Sequence, residues 1–138
     1  MTLDLVRLLI DFGLVVLIWM VQLIVYPSFL YYTQTNLCGW HKRYTANLSI
    51  IVMPLMFGQL GIYAFQAILL PTLFSITGFA IVILLWAITF IQFVPLHRAI
   101  SEQRATQRTL RALVLRNWIR TGLWSLLSIW SIWSYLNT

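Results

Sequence analysis

Four long apolar stretches, separated by short breaks, constrain this chain more than any other feature. They cover about residues 5–29, 42–70, 72–95 and 113–136. A helix needs about 20 apolar residues to cross the hydrocarbon core of a bilayer. In lipid the backbone N–H and C=O groups must be satisfied within the segment, so runs of this length form helices. The expected fold is all-α: a single membrane domain over residues 1–138, built as a bundle of four transmembrane helices. Composition agrees, with 9% of residues charged and 61% hydrophobic and a mean hydropathy of +0.87. Soluble domains carry roughly 25% charged residues. The opening residues lack a basic start and a small-residue cleavage site, so the first helix reads as part of the mature protein and not as a signal peptide. Cys38 is the only cysteine, which excludes an internal disulfide, and it reads as a small half-buried hydrophobe.

Charge sets the orientation. Lys42 and Arg43 lie in the first break, and Arg98, Arg104, Arg108 and Arg111 in the third, with Arg116 and Arg120 at its far edge. The second break, around Pro71, has no charge. Positive charge is retained in the cytoplasm, so breaks one and three are expected there and both termini outside. A bacterial inner (cytoplasmic) membrane is the expected location. The net charge of +6 therefore reads as the basic flanks of membrane helices and not as a nucleic-acid surface. The basic segment, about residues 97–112, contains no Pro or Gly. It is expected as an amphipathic helical linker along the inner headgroups, where its arginines meet anionic lipid. Partners expected are the bilayer, a hydrophobic small molecule and a further copy in an oligomer, with no nucleic acid.

Residues three or four apart share a helix face, which places the polar side chains. In the fourth segment Asn117, Thr121, Trp124, Ser128, Ser131 and Tyr135 form one stripe. Arg116 is expected to snorkel to headgroups, whereas Arg120, a turn deeper, either reaches back to phosphate or turns inward to an anion. In the third segment Trp86, Phe90, Phe93 and His97 share a face; in the second, His41, Tyr44, Leu48, Val52, Leu55 and Gln59 do. In the first, Asp11, Gln22 and Tyr26 are in register. His41 and His97, the only histidines, fall at the same membrane boundary. They are either two interfacial residues or one site, and they are the only metal candidates. Two imidazoles make an incomplete ligand set unless Glu102 or Cys38 joins them. A bis-histidine haem normally sits in a deeper cavity, so the cofactor stays unknown. Asp11, an acid inside an apolar run, is either a hydrogen-bonded carboxyl or a proton-coupling group.

Thr89-Phe90 with Val94-Pro95-Leu96-His97, followed by Asn117-Trp118-Ile119-Arg120-Thr121, resembles the anthrone-oxygenase-like family of small four-helix membrane proteins, much of which is a domain of unknown function. Tyr26-Pro27-Ser28-Phe29 matches the family's proline-containing end of helix one. His97 stands where the family has asparagine, so a role for that amide does not carry over. The resemblance implies oxygenation of a reduced polycyclic phenol to a quinone, an activity of a few family members. Three readings follow. The first is a polar pocket at the cytoplasmic end that binds, and as a further step oxidises, a quinol- or phenol-like molecule. In it His41, His97 and Arg120 act as catalytic groups, and Asn117, Trp86, Phe90, Trp124 and Tyr44 line the substrate. The second is a non-enzymatic accessory or assembly subunit that docks through the arginines. The third is a small proton-coupled transporter using Asp11.

Overall fold

The computed structural model describes residues 2–138, and these are all-helical with short turns. Helix α1 spans Thr2–Tyr31, α2 Gln34–Leu69 and α3 Leu73–Ser101, and these three are long and apolar enough to cross a membrane. Helix α4 spans Gln107–Leu136. The helices run up and down in chain order, each packed on the next, and α4 closes the ring against α1. Single side chains set the starts. Thr33 accepts a hydrogen bond from the Asn36 amide. Thr72 forms a reciprocal capping box with Ser75, and Thr106 forms another with Thr109.

The basic segment does not form a helix of its own. Its first residues finish α3, and residues 102–106 make the turn, with Gln103 in the left-handed region (φ 56°). The Thr106–Thr109 box then starts α4 at Gln107. Helix α2 likewise begins at Gln34, a full two turns before the expected boundary, because the Thr33 cap satisfies its first turn. The Gln34 side-chain amide donates to the Gln103 carbonyl, tying the start of α2 to the turn after α3, and Lys42 and Arg43, expected in the first break, lie inside α2.

Neither Pro27 nor Pro95 ends its helix. A five-residue π turn precedes each one, Val21–Val25 in α1 and Thr89–Phe93 in α3. Proline lacks an N–H and its ring crowds the carbonyl four residues back, which breaks an ordinary α-helical ladder. Here the Tyr26 amide donates to Val21 O and the Val94 amide to Thr89 O, so the chain passes each proline with one residue inserted. In α3 this insertion changes the inward face. Gly78, Val82 and Leu85 lead to Phe93 and Ile100, and Phe90 is turned out to 57% exposure.

The interior is polar where the surface is apolar. Leu115, Ile129 and Leu136 of α4 are exposed, while Asn117, Thr121, Ser128 and Ser131 are buried. Gln22 Oε1 accepts from Asn117 Nδ2 (2.9 Å) and Thr121 Oγ1 (3.1 Å), and its Nε2 donates to Val114 O (3.1 Å). Gln59 Oε1 accepts from the Trp124 indole (3.1 Å), and Gln59 Nε2 donates to Asp11 (2.7 Å). Between helices in an apolar solvent such bonds, together with close packing, supply the cohesion that hydrophobic burial supplies in water.

Candidate functional site

At the end of the bundle carrying Lys42, Arg43 and the turn at residues 102–106, four helices contribute one side chain each to a polar cluster. The π turn of α1 is followed by Tyr26, that of α3 by His97; the early turns of α2 bring His41, and α4 brings Arg120. His41 Nε2 and His97 Nδ1 share a hydrogen bond of 2.6 Å. The remaining nitrogens are used as well: His97 Nε2 bonds the Tyr26 hydroxyl at 3.0 Å, and His41 Nδ1 bonds Ser101 Oγ at 3.2 Å. The rings stack at 4.9 Å between centroids, and Phe29 covers His41 edge-on at 6.0 Å.

Arg120 is 8% exposed, with its Cζ 4.2 Å from the Phe93 ring centroid and 5.3 Å from that of Trp124. Aromatic faces offset part of the cost of burying a guanidinium. Its Nε is buried without a hydrogen-bond partner. Arg116, by contrast, is exposed.

A cavity of about 180 Å³ lies between α2 and α3 above this cluster. Tyr26, His97 and Arg120 form its polar floor; Leu48, Val52, Met53, Met56 and Phe93 make its apolar wall; Tyr44, Thr45 and Ser49 lie on the α2 side. Among the described residues its lining holds a guanidinium and no carboxylate.

Of the residues singled out from the sequence, His41, His97 and Arg120 come together here, and Tyr44 lines the cavity. His41 itself is 1% exposed and reaches the cavity only through His97. Four expected substrate contacts lie elsewhere. Trp86 packs on Phe57 at 5.0 Å and on Phe90 at 5.7 Å outside the lining, and the π turn leaves Phe90 outward while Phe93 takes the inward face. Asn117 is committed to Gln22, and Trp124 supports Arg120 from beneath while its indole donates to Gln59. Tyr26, Phe93, Ser101 and the methionine wall were not singled out as site residues. The Tyr26-Pro27 and Val94-Pro95 pairs were the available signal, since each marks a disrupted helix at the same depth.

The two imidazoles turn their facing nitrogens on each other, and no group of three or more His, Cys, Asp or Glu side chains capable of holding a metal occurs among the described residues. Cys38 Sγ bonds the Ser101 carbonyl (3.4 Å), and Glu102 pairs with Arg104. At the opposite end Asp11 receives Gln59 and the Tyr63 hydroxyl, each at 2.7 Å, so both its oxygens serve to join α1 to α2. Arg7 there bonds Asp4 (3.0 Å), Gln66 (2.8 Å) and Ser131 (3.1 Å), a compensated cation beside a second cavity of about 180 Å³. Comparison of the chain with protein-family models, curated proteins and solved structures finds no match.

Proposed function

We propose that this is a four-span integral membrane protein whose cavity between α2 and α3 takes a phenol- or quinol-like ring from the lipid phase and holds its hydroxyl on Arg120 and Tyr26, with His97 behind Tyr26. The observation that carries this reading is Arg120: a buried guanidinium, without a carboxylate in the cavity lining, facing a space large enough for a ligand. An ionisable group inside a membrane bundle is costly and marks function more often than packing. A phenolate oxygen supplies the missing negative charge. The size of the space limits the ligand, since an apolar cavity of about 150 Å³ holds benzene. A cavity of about 180 Å³ therefore accommodates one ring with its tail left in lipid, rather than the fused rings of an anthrone. The resemblance to the anthrone-oxygenase-like family implies oxidation of the bound quinol as a further step, which requires a two-electron acceptor from outside this chain. The hydroxyl proton of the bound ring passes to Tyr26, whose own proton His97 accepts across their 3.0 Å bond; proton transfer between groups within hydrogen-bond reach is worth roughly 10²–10⁴-fold.

The exposed apolar surface of α4 favours placing this helix in lipid with the other three. Lys42, Arg43, Arg98, Arg104, Arg108 and Arg111, all exposed at the site's end, favour that end in the cytoplasm against anionic headgroups, with both termini outside. Reporter fusions after Thr138 and at Ala105 test this, and a cytoplasmic signal from Thr138 contradicts it.

The ligand reading is tested with para-nitrophenol, whose colour reports its ionisation, titrated into protein in phosphatidylcholine nanodiscs. Saturable binding as the yellow phenolate is expected. Arg120→Gln is expected to weaken it at least tenfold, because a hydrogen bond to a charged group contributes about 1.5–3 kcal/mol. Arg116→Gln is expected to leave it unchanged. Equal, unsaturable uptake by wild type and Arg120→Gln would refute the reading.

A further inference from the structure

We propose that Tyr26, His97, His41 and Ser101 form a proton wire between the cavity floor and the interface at the turn after α3. Its role in serving a bound phenol rests on the reading above; the coupling along the chain does not. Three observations carry it. The links are continuous, at 3.0, 2.6 and 3.2 Å. Each of the four groups can both donate and accept, and each imidazole uses both of its nitrogens within the chain. A histidine that serves only as a strut is pinned in one tautomer by a backbone carbonyl or a carboxylate; here every ring nitrogen is hydrogen-bonded to a group that can reverse, and Arg120, the fixed cation beside His97, takes no part in the chain. The two ends also differ in surroundings. Tyr26 and His97 line the cavity, whereas Ser101 is part-exposed in the last turn of α3, next to the exposed Glu102.

The chain therefore has two polarities. In the first, the Tyr26 hydroxyl donates to His97 Nε2, His97 Nδ1–H donates to His41 Nε2, and His41 Nδ1–H donates to Ser101 Oγ. When a phenol in the cavity gives its proton to the Tyr26 oxygen, the Tyr26 proton moves to His97 Nε2. The His97 Nδ1 proton moves to His41 Nε2, the His41 Nδ1 proton to Ser101 Oγ, and the Ser101 proton leaves to interfacial water. The phenol has become a phenolate beside Arg120, one proton has been released, and no electron has moved. Both imidazoles remain neutral but have changed from the Nδ1–H to the Nε2–H tautomer, and the Tyr26 hydroxyl is free to donate to the phenolate. Loss of the phenol runs the sequence backwards.

The test is nitrogen NMR of ¹⁵N-histidine-labelled protein in phosphatidylcholine nanodiscs. Without ligand, Ser101→Ala removes the acceptor of the first polarity and is expected to push both rings to Nε2–H. Tyr26→Phe removes the acceptor of the second and is expected to push both to Nδ1–H. A response confined to the ring next to the substitution, or no response in either variant, overturns the wire whatever the cavity binds. With saturating para-nitrophenol, wild type is expected to switch both tautomers and release one proton per ligand. A phenolate band with unchanged tautomers likewise overturns the wire. Failure of para-nitrophenol to bind, with the variants still coupled, sinks the phenol reading and leaves the wire standing.

Discussion

Gly78→Ala is expected to be among the most damaging single-methyl additions in this chain. A Cβ at Gly78 would stand 2.6 Å from Tyr63 Cε1 and 2.9 Å from Cδ1, in a buried layer of α3 against α2. Tyr63 is fully buried and its hydroxyl is held by Asp11, so the ring cannot swing away without giving up that 2.7 Å bond. Overpacking of a close-packed interior costs about 1–3 kcal/mol, and an interhelical hydrogen bond in a membrane bundle adds roughly 0.6 kcal/mol. Gly61→Ala is the control. Nothing lies within 4 Å of its Cβ, and alanine favours the helix by up to about 1 kcal/mol. Thermal unfolding in detergent should show a clear drop for Gly78→Ala and none for Gly61→Ala. Equal midpoints would mean that α2 and α3 are not packed this closely.

Gln22→Leu is expected to cost about 3–5 kcal/mol although it preserves volume and adds apolar surface. Three interhelical bonds at roughly 0.6 kcal/mol each are lost, and a buried amide left unsatisfied costs a further 1–3 kcal/mol or so. Thr121 Oγ1 retains the Asn117 carbonyl at 3.0 Å, but Asn117 Nδ2 loses the partner that the structure gives it. The Oδ1 of the same side chain already lacks one. Replacing both Gln22 and Asn117 by leucine removes the orphan together with its partner. The double variant should therefore be more stable than the sum of the single changes, by about 1 kcal/mol or more. Additive losses would show that the two amides do not meet.

Much of this architecture was legible because helix periodicity reports which residues share a face. The stripe from Asn117 through Ser131 is buried as its spacing implied, and Asp11, Gln22 and Tyr26 follow a common line inside α1. Arg116 is exposed as its position at the boundary implied, whereas the inward turn of Arg120 and the meeting of His41 with His97 were each one of two alternatives that the sequence left open. What periodicity misses is a change of period. The π turn at Thr89–Phe93 inserts one residue, so of the expected face Trp86, Phe90, Phe93 and His97 the chain turns Phe93 inward and leaves Phe90 exposed. The turn at residues 102–106 was hidden for a different reason. It uses no proline or glycine but a left-handed Gln103 and a Thr–Thr capping box, which composition alone does not distinguish from a continuing helix.

Both π turns and the Arg120 stripe converge on the cavity, and the proposed phenol site rests on it. Anomalous diffraction from crystals of the protein soaked with para-bromophenol reads its occupant most directly. A bromine peak is expected between α2 and α3, among Leu48, Val52 and Met53, with the ring's hydroxyl directed at Arg120, and the peak is expected to vanish in Arg120→Gln crystals. Bromine confined to the lipid-facing surface, or a peak in the cavity that Arg120→Gln leaves unchanged, would contradict the account.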